Sequence, residues 1–393
     1  MNLPLHPTQV LDAGTVAGPG ARVCLVANTD WYLYNFRRDL AQFLRARGLE
    51  VVLISSPGPY VEKLQALGFR WLPWQVGRQT MNPLTEAAAL MRLMRLYKAE
   101  RPALVHHHTI KPALYGTLAA RWSGVPAIIN SITGRGYLFL GQDTKVRSLR
   151  TLIKKLYRHA FDTKRIRAIF ENATDYQYFI DNGLITRDRA RMIESVGVEP
   201  ARFFHQAEPG GAPVILMAAR MLWDKGAGVL VDAARLLHER TKVRVALAGA
   251  PDPGNPASIP AETLQKWHDD GIIEWWGFQD DMNAAYAKSH IVTLPTNYAE
   301  GLPTSLIEAA ACGRPIVATT IPGCKDFITE GYNGFLVPPN DPVALADALE
   351  RLATNPDLRK QVGMAARTRV MEKYTTGFVN SATLQVYREL FPL

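Results

Sequence analysis

Short apolar runs alternate with longer amphipathic ones along nearly all of this 393-residue chain, and few folds accommodate that rhythm. Residues 22–27, 50–55, 69–74, 103–107 and 127–131 read as strands rich in aliphatic side chains, while 84–98 and 113–122 carry helical spacing. Apolar runs without polar alternation are buried on both faces, so the pattern predicts βα units and a parallel sheet covered by helices on each side. The alternation pauses at Val196-Gly197-Val198-Glu199-Pro200, and the polar, Gly/Pro-containing residues 201–212 read as a linker. It restarts with strands at 214–218, 243–247, 272–276 and 290–295 and helices at 226–239 and 281–288. Two more helices, 342–353 and 356–374, precede an amphipathic segment at 378–390 expected to pack back on the first half. The expectation is an α/β chain of two doubly wound, Rossmann-like domains, 21–196 and 213–374, with a loose extension at 1–20 and a returning helix in 375–393. Ligands of such sheets sit at the carboxyl ends of the strands, so the two domains are expected to face one another across a central cleft.

No run approaches the roughly 18 apolar residues that a membrane-spanning helix needs, and residues 1–20 lack the basic start and apolar core of a signal peptide. The three cysteines, Cys24, Cys312 and Cys324, are far apart, which fits free thiols in a reducing cytoplasm. The net charge of +9 is concentrated: residues 135–170 hold ten Lys or Arg against two Asp. One local anionic partner is therefore expected, and not a nucleic-acid surface. Within this segment Val146, Leu149, Ile153, Leu156, Tyr157 and Ala160 form a helical stripe, surrounded by Arg147, Arg150, Lys154, Lys155 and Arg158. The concentrated charge favours a helix lying on the anionic inner face of the cytoplasmic membrane, over a helix packed on its own domain with a solvated basic face.

Chemistry concentrates where strands end. Glu300-Gly301-Leu302-Pro303-Thr304-Ser305-Leu306-Ile307-Glu308 joins an apolar strand to a helix. A helix start offers unpaired N–H groups and partial positive charge, and Gly301 permits close backbone approach, so a diphosphate fits there. Glu300 is expected to touch a sugar, and Glu308, placed in the first helical turn, the ribose hydroxyls of a sugar nucleotide. Ser305-x-x-Glu308 is also the spacing of a capping box, which needs no ligand. Arg220 and Lys225, five apart past another strand end, can clamp a diphosphate without a metal, or simply be solvated loop charges. No Asp-x-Asp occurs in the chain, so no metal or other cofactor is expected. His106-His107-His108 closes a strand; alternation lets His106 and His108 share a face, and one cleft histidine is expected to meet ligand rather than metal, with His106 core. Thr133-Gly134-Arg135-Gly136-Tyr137 and the aromatic first loop, with Asn28, Trp31, Tyr32, Tyr34 and Phe36, lie at two further strand ends.

Taken together and in this order, these residues resemble the retaining glycosyltransferases of family 4, which have the GT-B fold. The resemblance covers nearly the whole chain after residue 20 and rests on Glu300-x7-Glu308, on Arg220-x4-Lys225-Gly226, on Gly197-Val198-Glu199 with Phe203, and on His108-Thr109-Ile110-Lys111. It implies that Arg220 and Lys225 hold a donor diphosphate, Glu308 the ribose and Glu300 the transferred sugar. Backbone of Gly301, Leu302, Pro303 and Thr304 would line the donor, and His108 would sit over the anomeric centre. Asn28, Trp31, Tyr32, Lys111, Thr133, Gly134, Arg135 and Tyr137 look like the acceptor side of enzymes that extend lipid-linked sugars. The implied activity is transfer of a hexose or N-acetylhexosamine from a nucleoside-diphosphate sugar, UDP-linked, to a lipid-linked saccharide in cell-surface glycan biosynthesis. A sugar-nucleotide epimerase or hydrolase, and a non-catalytic membrane-surface binding protein, are the alternatives.

Overall fold

The computed structural model describes residues 20–77, 82–133, 144–298 and 301–391. The chain divides into two compact units, Met1–Val196 with Val379–Leu393, and Gly197–Phe378. In the first, β1 (Arg22–Thr29) passes through a helical turn (Asp30–Tyr32) and a π-helical turn (Leu33–Arg37) into α1 (Arg38–Arg45). There follow β2 (Glu50–Ser56), α2 (Val61–Ala66), β3 (Arg70–Pro73), α3 (Pro83–Glu100), β4 (Leu104–His108) and α4 (Ile110–Trp122). Then come β5 (Ala127–Ile132), α5 (Thr144–Phe161), β6 (Ile166–Phe170), α6 (Ala173–Asp181) and β7 (Ala190–Met192). The strands form one parallel sheet in the order β3-β2-β1-β4-β5-β6-β7. The order reverses between β1 and β4, the topological switch where ligands of such sheets bind.

Strand alternation sends Val23, Leu25 and Ala27 into one core with Leu53, Leu104 and Ile129, and Cys24 and Val26 into the opposite core with Ile54, Val105 and Ile128. Both faces are thus apolar, which is why the strands carry no polar alternation.

The second unit runs β8 (Val214–Ala218), a 3-10 turn (Trp223–Lys225), α7 (Ala227–Arg240), β9 (Arg244–Ala248), α8 (Ala261–Asp269) and β10 (Glu274–Gly277). It continues with α9 (Met282–Ala287), β11 (Ile291–Leu294), α10 (Thr304–Ala311), β12 (Ile316–Thr319) and α11 (Pro322–Phe327). It closes with β13 (Phe335–Val337), α12 (Pro342–Ala353) and α13 (Pro356–Lys373). Its parallel sheet has the order β10-β9-β8-β11-β12-β13, with the same switch, here between β8 and β11. Helix α14 (Thr376–Arg388) begins in this unit, and its Val379, Leu384, Val386 and Tyr387 belong to a core of the first.

Two sequence expectations are corrected here. Residues 201–212 are strapped to the second unit instead of forming a free linker. Phe203 is buried in that unit's core, Arg359 donates three hydrogen bonds to the Glu208 carboxylate, and Arg314 donates to the Ala207 carbonyl. The second unit starts at Gly197, where Val198 N–H donates to the Tyr374 carbonyl and Thr376 N–H donates back to the Val198 carbonyl. A side chain at Gly197, which has φ 78°, would meet the Thr376 backbone at 2.9 Å. The stripe drawn on α5 is also split. Tyr157 and Ala160 are buried and Ile153 packs beside them, but Leu156 turns outward with Leu152.

Candidate functional site

In the second unit, the strand ends of β8 and β11 are fastened together. The Asp224 carbonyl in the 3-10 turn accepts from Asn297 N–H at 3.0 Å and from Thr296 Oγ1 at 3.1 Å. Gly226 closes the turn at φ 84°, and a Cβ there would lie 2.0 Å from the Pro295 carbonyl oxygen, so only glycine lets the Lys225 loop reach this strand end. Lys225 is half-buried in that turn, and Arg220, half-exposed, forms an ion pair with Asp252 beyond β9. A diphosphate binding Arg220 must compete with Asp252.

Gly301, Leu302 and Pro303 are buried and Thr304 is half-buried as the first residue of α10. Pro303 occupies the N-cap position and makes no side-chain cap, so the capping-box reading of Ser305 and Glu308 does not hold. Glu308 lies one turn deeper than expected, in the second turn of α10. Its carboxylate accepts from the Tyr286 hydroxyl at 3.1 Å, a bond that hydroxyl shares with the Ser305 carbonyl. Burial pushes the Glu308 carboxyl up to about 7, opposed by the Tyr286 hydrogen bond and by Arg202. Glu300 lies outside the described residues.

In the first unit, β4 delivers three histidines into the interior, each with a different environment. His106 sits between the Tyr387 hydroxyl and Ser131 Oγ, both at 2.7 Å. His107 is held by Tyr97 and Asn130, each at 2.8 Å. His108 is also fully buried, yet neither ring nitrogen has a hydrogen-bond partner among the described residues. Burial, with His106 and Arg37 nearby, holds its pKa well below the ordinary value, so the ring is neutral at pH 7 and able to accept a hydroxyl hydrogen. Thr109 follows at φ 73°, a conformation that a β-branched residue adopts only under strain, and strain of this kind collects at ligand sites. Its Oγ1, like Asn28 Oδ1 on neighbouring β1, is buried without a partner among the described residues. Buried polar atoms left unbonded cost free energy unless a ligand or water completes them. Tyr32 packs its ring 5.8 Å from that of His108. Trp31 is 40% exposed and edge-packed on Phe36.

The remaining acceptor-side and basic residues divide. Lys111, in the first turn of α4, is bonded to Glu86 at 2.9 Å and to the Gly77 carbonyl at 2.7 Å, so the chain itself takes up its charge. Thr133 follows β5 and lies beside the Tyr32 phenol, whereas Gly134, Arg135 and Tyr137 lie outside the described residues. On α5, Lys154 donates to Asn182 Oδ1 and Arg158 to the Asn182 carbonyl, while Lys155 is exposed and Arg150 half-buried. The Arg147 side chain is outside the described set. Lys154 and Arg158 are thus tied within their own unit, because Asn182 at the end of α6 lies under that face.

Sequence reasoning missed Arg37, Glu171, Tyr286 and Asp252. Glu171 directly follows β6, a strand hidden in the sequence by its charged neighbours Arg165 and Arg167. Among the described residues, no group of three or more His, Cys, Asp or Glu is placed to hold a metal ion, and no helix is long and apolar enough to cross a membrane.

Two family models match the two halves, one described as Glycosyl transferase 4-like over residues 22–172 and one as Glycosyl transferases group 1 over residues 212–355. The chain is a family-4-like glycosyltransferase. Among curated relatives of this glycosyltransferase is the Campylobacter jejuni N,N'-diacetylbacillosaminyl-diphospho-undecaprenol alpha-1,3-N-acetylgalactosaminyltransferase, 25% identical over 93% of this chain and 98% of its own length. Another is the Escherichia coli UDP-Gal:alpha-D-GlcNAc-diphosphoundecaprenol alpha-1,3-galactosyltransferase, 23% identical over 70% of this chain and 72% of its own. A solved glycosyltransferase from Rickettsia africae superposes with a TM-score of 0.76 at 21% identity, covering 94% of this chain and 98% of that one. Anabaena HepE in complex with UDP-glucose does so with a TM-score of 0.75 at 16% identity, covering 95% and 100%. The fold of the enzyme is GT-B, as its two parallel sheets indicate. These relatives leave the epimerase, hydrolase and non-catalytic readings without support.

Proposed function

We propose that the enzyme moves a hexosyl or N-acetylhexosaminyl group from a UDP-sugar to a hydroxyl of a lipid-diphosphate-linked saccharide in cell-surface glycan biosynthesis. Configuration at the anomeric carbon is retained and no metal takes part. Arg220 and Lys225 neutralise the departing diphosphate, Glu308 accepts from the ribose, and Glu300 holds the transferred sugar. Fixed positive charge acts where negative charge grows, at the leaving group, which is where such groups lower a barrier most. The carrying observation is His108, buried with both nitrogens unbonded among the described residues, beside unbonded Asn28 and Thr109 oxygens. A structural histidine would resemble His106 and His107, whose nitrogens are satisfied. A hydroxyl-rich ligand completes the set. The names of the relatives support the acceptor class, and the complex of HepE supports the donor class.

At the membrane, exposed Leu152 and Leu156 beside Lys155 give α5 an apolar and basic outer face, suited to anionic lipid around the acceptor on the cytoplasmic side.

The test is UDP release from UDP-N-acetylgalactosamine, UDP-galactose and UDP-glucose in EDTA, with and without GlcNAc-diphospho-undecaprenol or the diacetylbacillosaminyl lipid. Release from one sugar that requires lipid and is lost in Lys225→Ala supports the proposal. Release without lipid, or dependence on added metal, counts against it.

A further inference from the structure

Arg37 ends the π-helical turn and is used by none of the roles above. Turns of this type are rare in helices and concentrate at functional sites. Arg37 leaves the turn at φ −127° and ψ −2°, which breaks the helix before α1, and its side chain is only 6% exposed. Glu171, 11% exposed at the end of β6, faces it at 3.5 Å. Burial outweighs the attraction of this long pair, since the Glu171 carboxyl is pushed up to about 7 despite the guanidinium. A buried pair that does not stabilise its own carboxylate is weak evidence for a purely structural purpose.

The guanidinium has a further contact. Arg37 Nη2 donates to the Tyr32 phenol oxygen at 2.9 Å, and Thr133 lies beside the same phenol. A phenol oxygen accepts on its lone pairs and gives one hydrogen. A guanidinium only gives hydrogen bonds, so with Arg37 on one lone pair the phenol hydrogen is turned away from it and is available to a neighbouring hydroxyl or a ligand. It stands beside His108, whose ring is 5.8 Å from the tyrosine ring and whose two nitrogens are unbonded among the described residues. An available donor beside unbonded ring nitrogens matches a ligand dense in hydroxyls.

We propose that Arg37 and Glu171 are a positioning pair that turns the Tyr32 hydroxyl hydrogen outward, to bond a sugar oxygen of the acceptor. This rests on the transferase reading above. Glu171 fixes the guanidinium, the guanidinium occupies a lone pair of the phenol, and only Tyr32 touches substrate.

The experiment is steady-state kinetics of the full chain, with the UDP-sugar that the release assay selects and GlcNAc-diphospho-undecaprenol as acceptor probe. Tyr32→Phe raises the acceptor KM about tenfold, as loss of one hydrogen bond does, and leaves the UDP-sugar KM within about twofold. Arg37→Met alone leaves the buried Glu171 carboxyl without its partner, so the pair is removed together as Arg37→Met with Glu171→Gln, giving the same rise at an unchanged melting temperature. The triple variant is no worse than Tyr32→Phe, because all three act through one hydroxyl. Losses that multiply in the triple variant, or an acceptor KM unmoved by Tyr32→Phe, overturn the proposal. If the wild-type chain transfers to no lipid probe, the transferase reading fails by itself. The pair is then decided by the 13Cζ tyrosine NMR resonance that Tyr32→Phe removes: a shift in the Arg37→Met, Glu171→Gln variant keeps the orienting role, and an unmoved signal rejects it.

Discussion

Tyr286→Phe isolates one hydrogen bond under the expected ribose site, and its effect follows from the geometry. Glu308 has a pKa of about 7 in the folded enzyme, so close to half of it is ionised at neutral pH. The ionised form accepts both ribose hydroxyls, and the protonated form has less accepting capacity. Affinity for a UDP-sugar therefore rises as pH climbs through 7. A hydrogen bond donated to a carboxylate is worth roughly 1.5–3 kcal/mol. Tyr286 divides its hydrogen between Glu308 and the Ser305 carbonyl, both at 3.1 Å. About 1.4 kcal/mol is thus assigned to Glu308, a factor of ten in proton affinity. In Tyr286→Phe roughly one Glu308 in ten is ionised at pH 7, so the Kd rises about fivefold there and returns to the wild-type value near pH 9. Isothermal titration with UDP-glucose reads this directly, because a diphosphate esterified at both ends does not titrate in the range. A wild-type Kd that is flat from pH 6 to 9, or a variant curve lying on top of it, means that Glu308 does not carry the ribose.

Four further outcomes are expected. Lys225→Ala lowers kcat by about 10²–10³, the loss of one fixed charge at the leaving group, and a turnover within threefold of wild type removes Lys225 from that role. Gly226→Ala drives a Cβ to 2.0 Å from the Pro295 carbonyl at φ 84°, so it costs roughly 1–3 kcal/mol in thermal unfolding and weakens UDP-glucose binding with it. Because the Glu308 carboxyl is raised from 4.5 to about 7, its contribution to stability is intact below pH 4.5 and lost as pH rises through 7. Glu308→Gln accordingly stabilises the unliganded enzyme at pH 8, by about 1–2 kcal/mol after allowance for partial exposure, while it weakens donor binding. Leu152→Ser with Leu156→Ser reduces co-sedimentation with anionic vesicles severalfold, whereas Lys154→Ala, whose cation is held by Asn182, changes it little.

The parallel sheets were legible because Val23 to Ala27 and Val214 to Ala218 are apolar on both faces, a pattern that only a doubly covered strand produces. Strand β6 was not, since Arg165 and Arg167 break its apolar run and lie in the segment whose charge drew attention to a surface. The loop closed by Gly226 was legible as a glycine after two cations, but the carbonyl that demands it, Pro295, is about 70 residues away and no local pattern points to it. Similarly, the three consecutive histidines announced a strand end, while what separates His108 from its neighbours is the presence of Tyr387, Ser131, Tyr97 and Asn130 on the other two. The Ser305 and Glu308 spacing misled because a capping box requires the serine to precede the helix, and Pro303 had already taken that position.

Helix α14 has a consequence for how this enzyme comes off the ribosome. Its Val379, Leu384, Val386 and Tyr387 complete one core of the first unit, the Tyr387 hydroxyl reaches His106, and Glu389 pairs with Arg167 and Arg191. The second unit, Gly197–Phe378, is continuous and can close as soon as it has emerged. The first unit, although synthesised earlier, waits with one apolar face uncovered until the end of the chain arrives. Nascent chains stalled before residue 379 should therefore hold a folded second half and an unfinished first half, reversing the usual order in which the amino-terminal domain folds first.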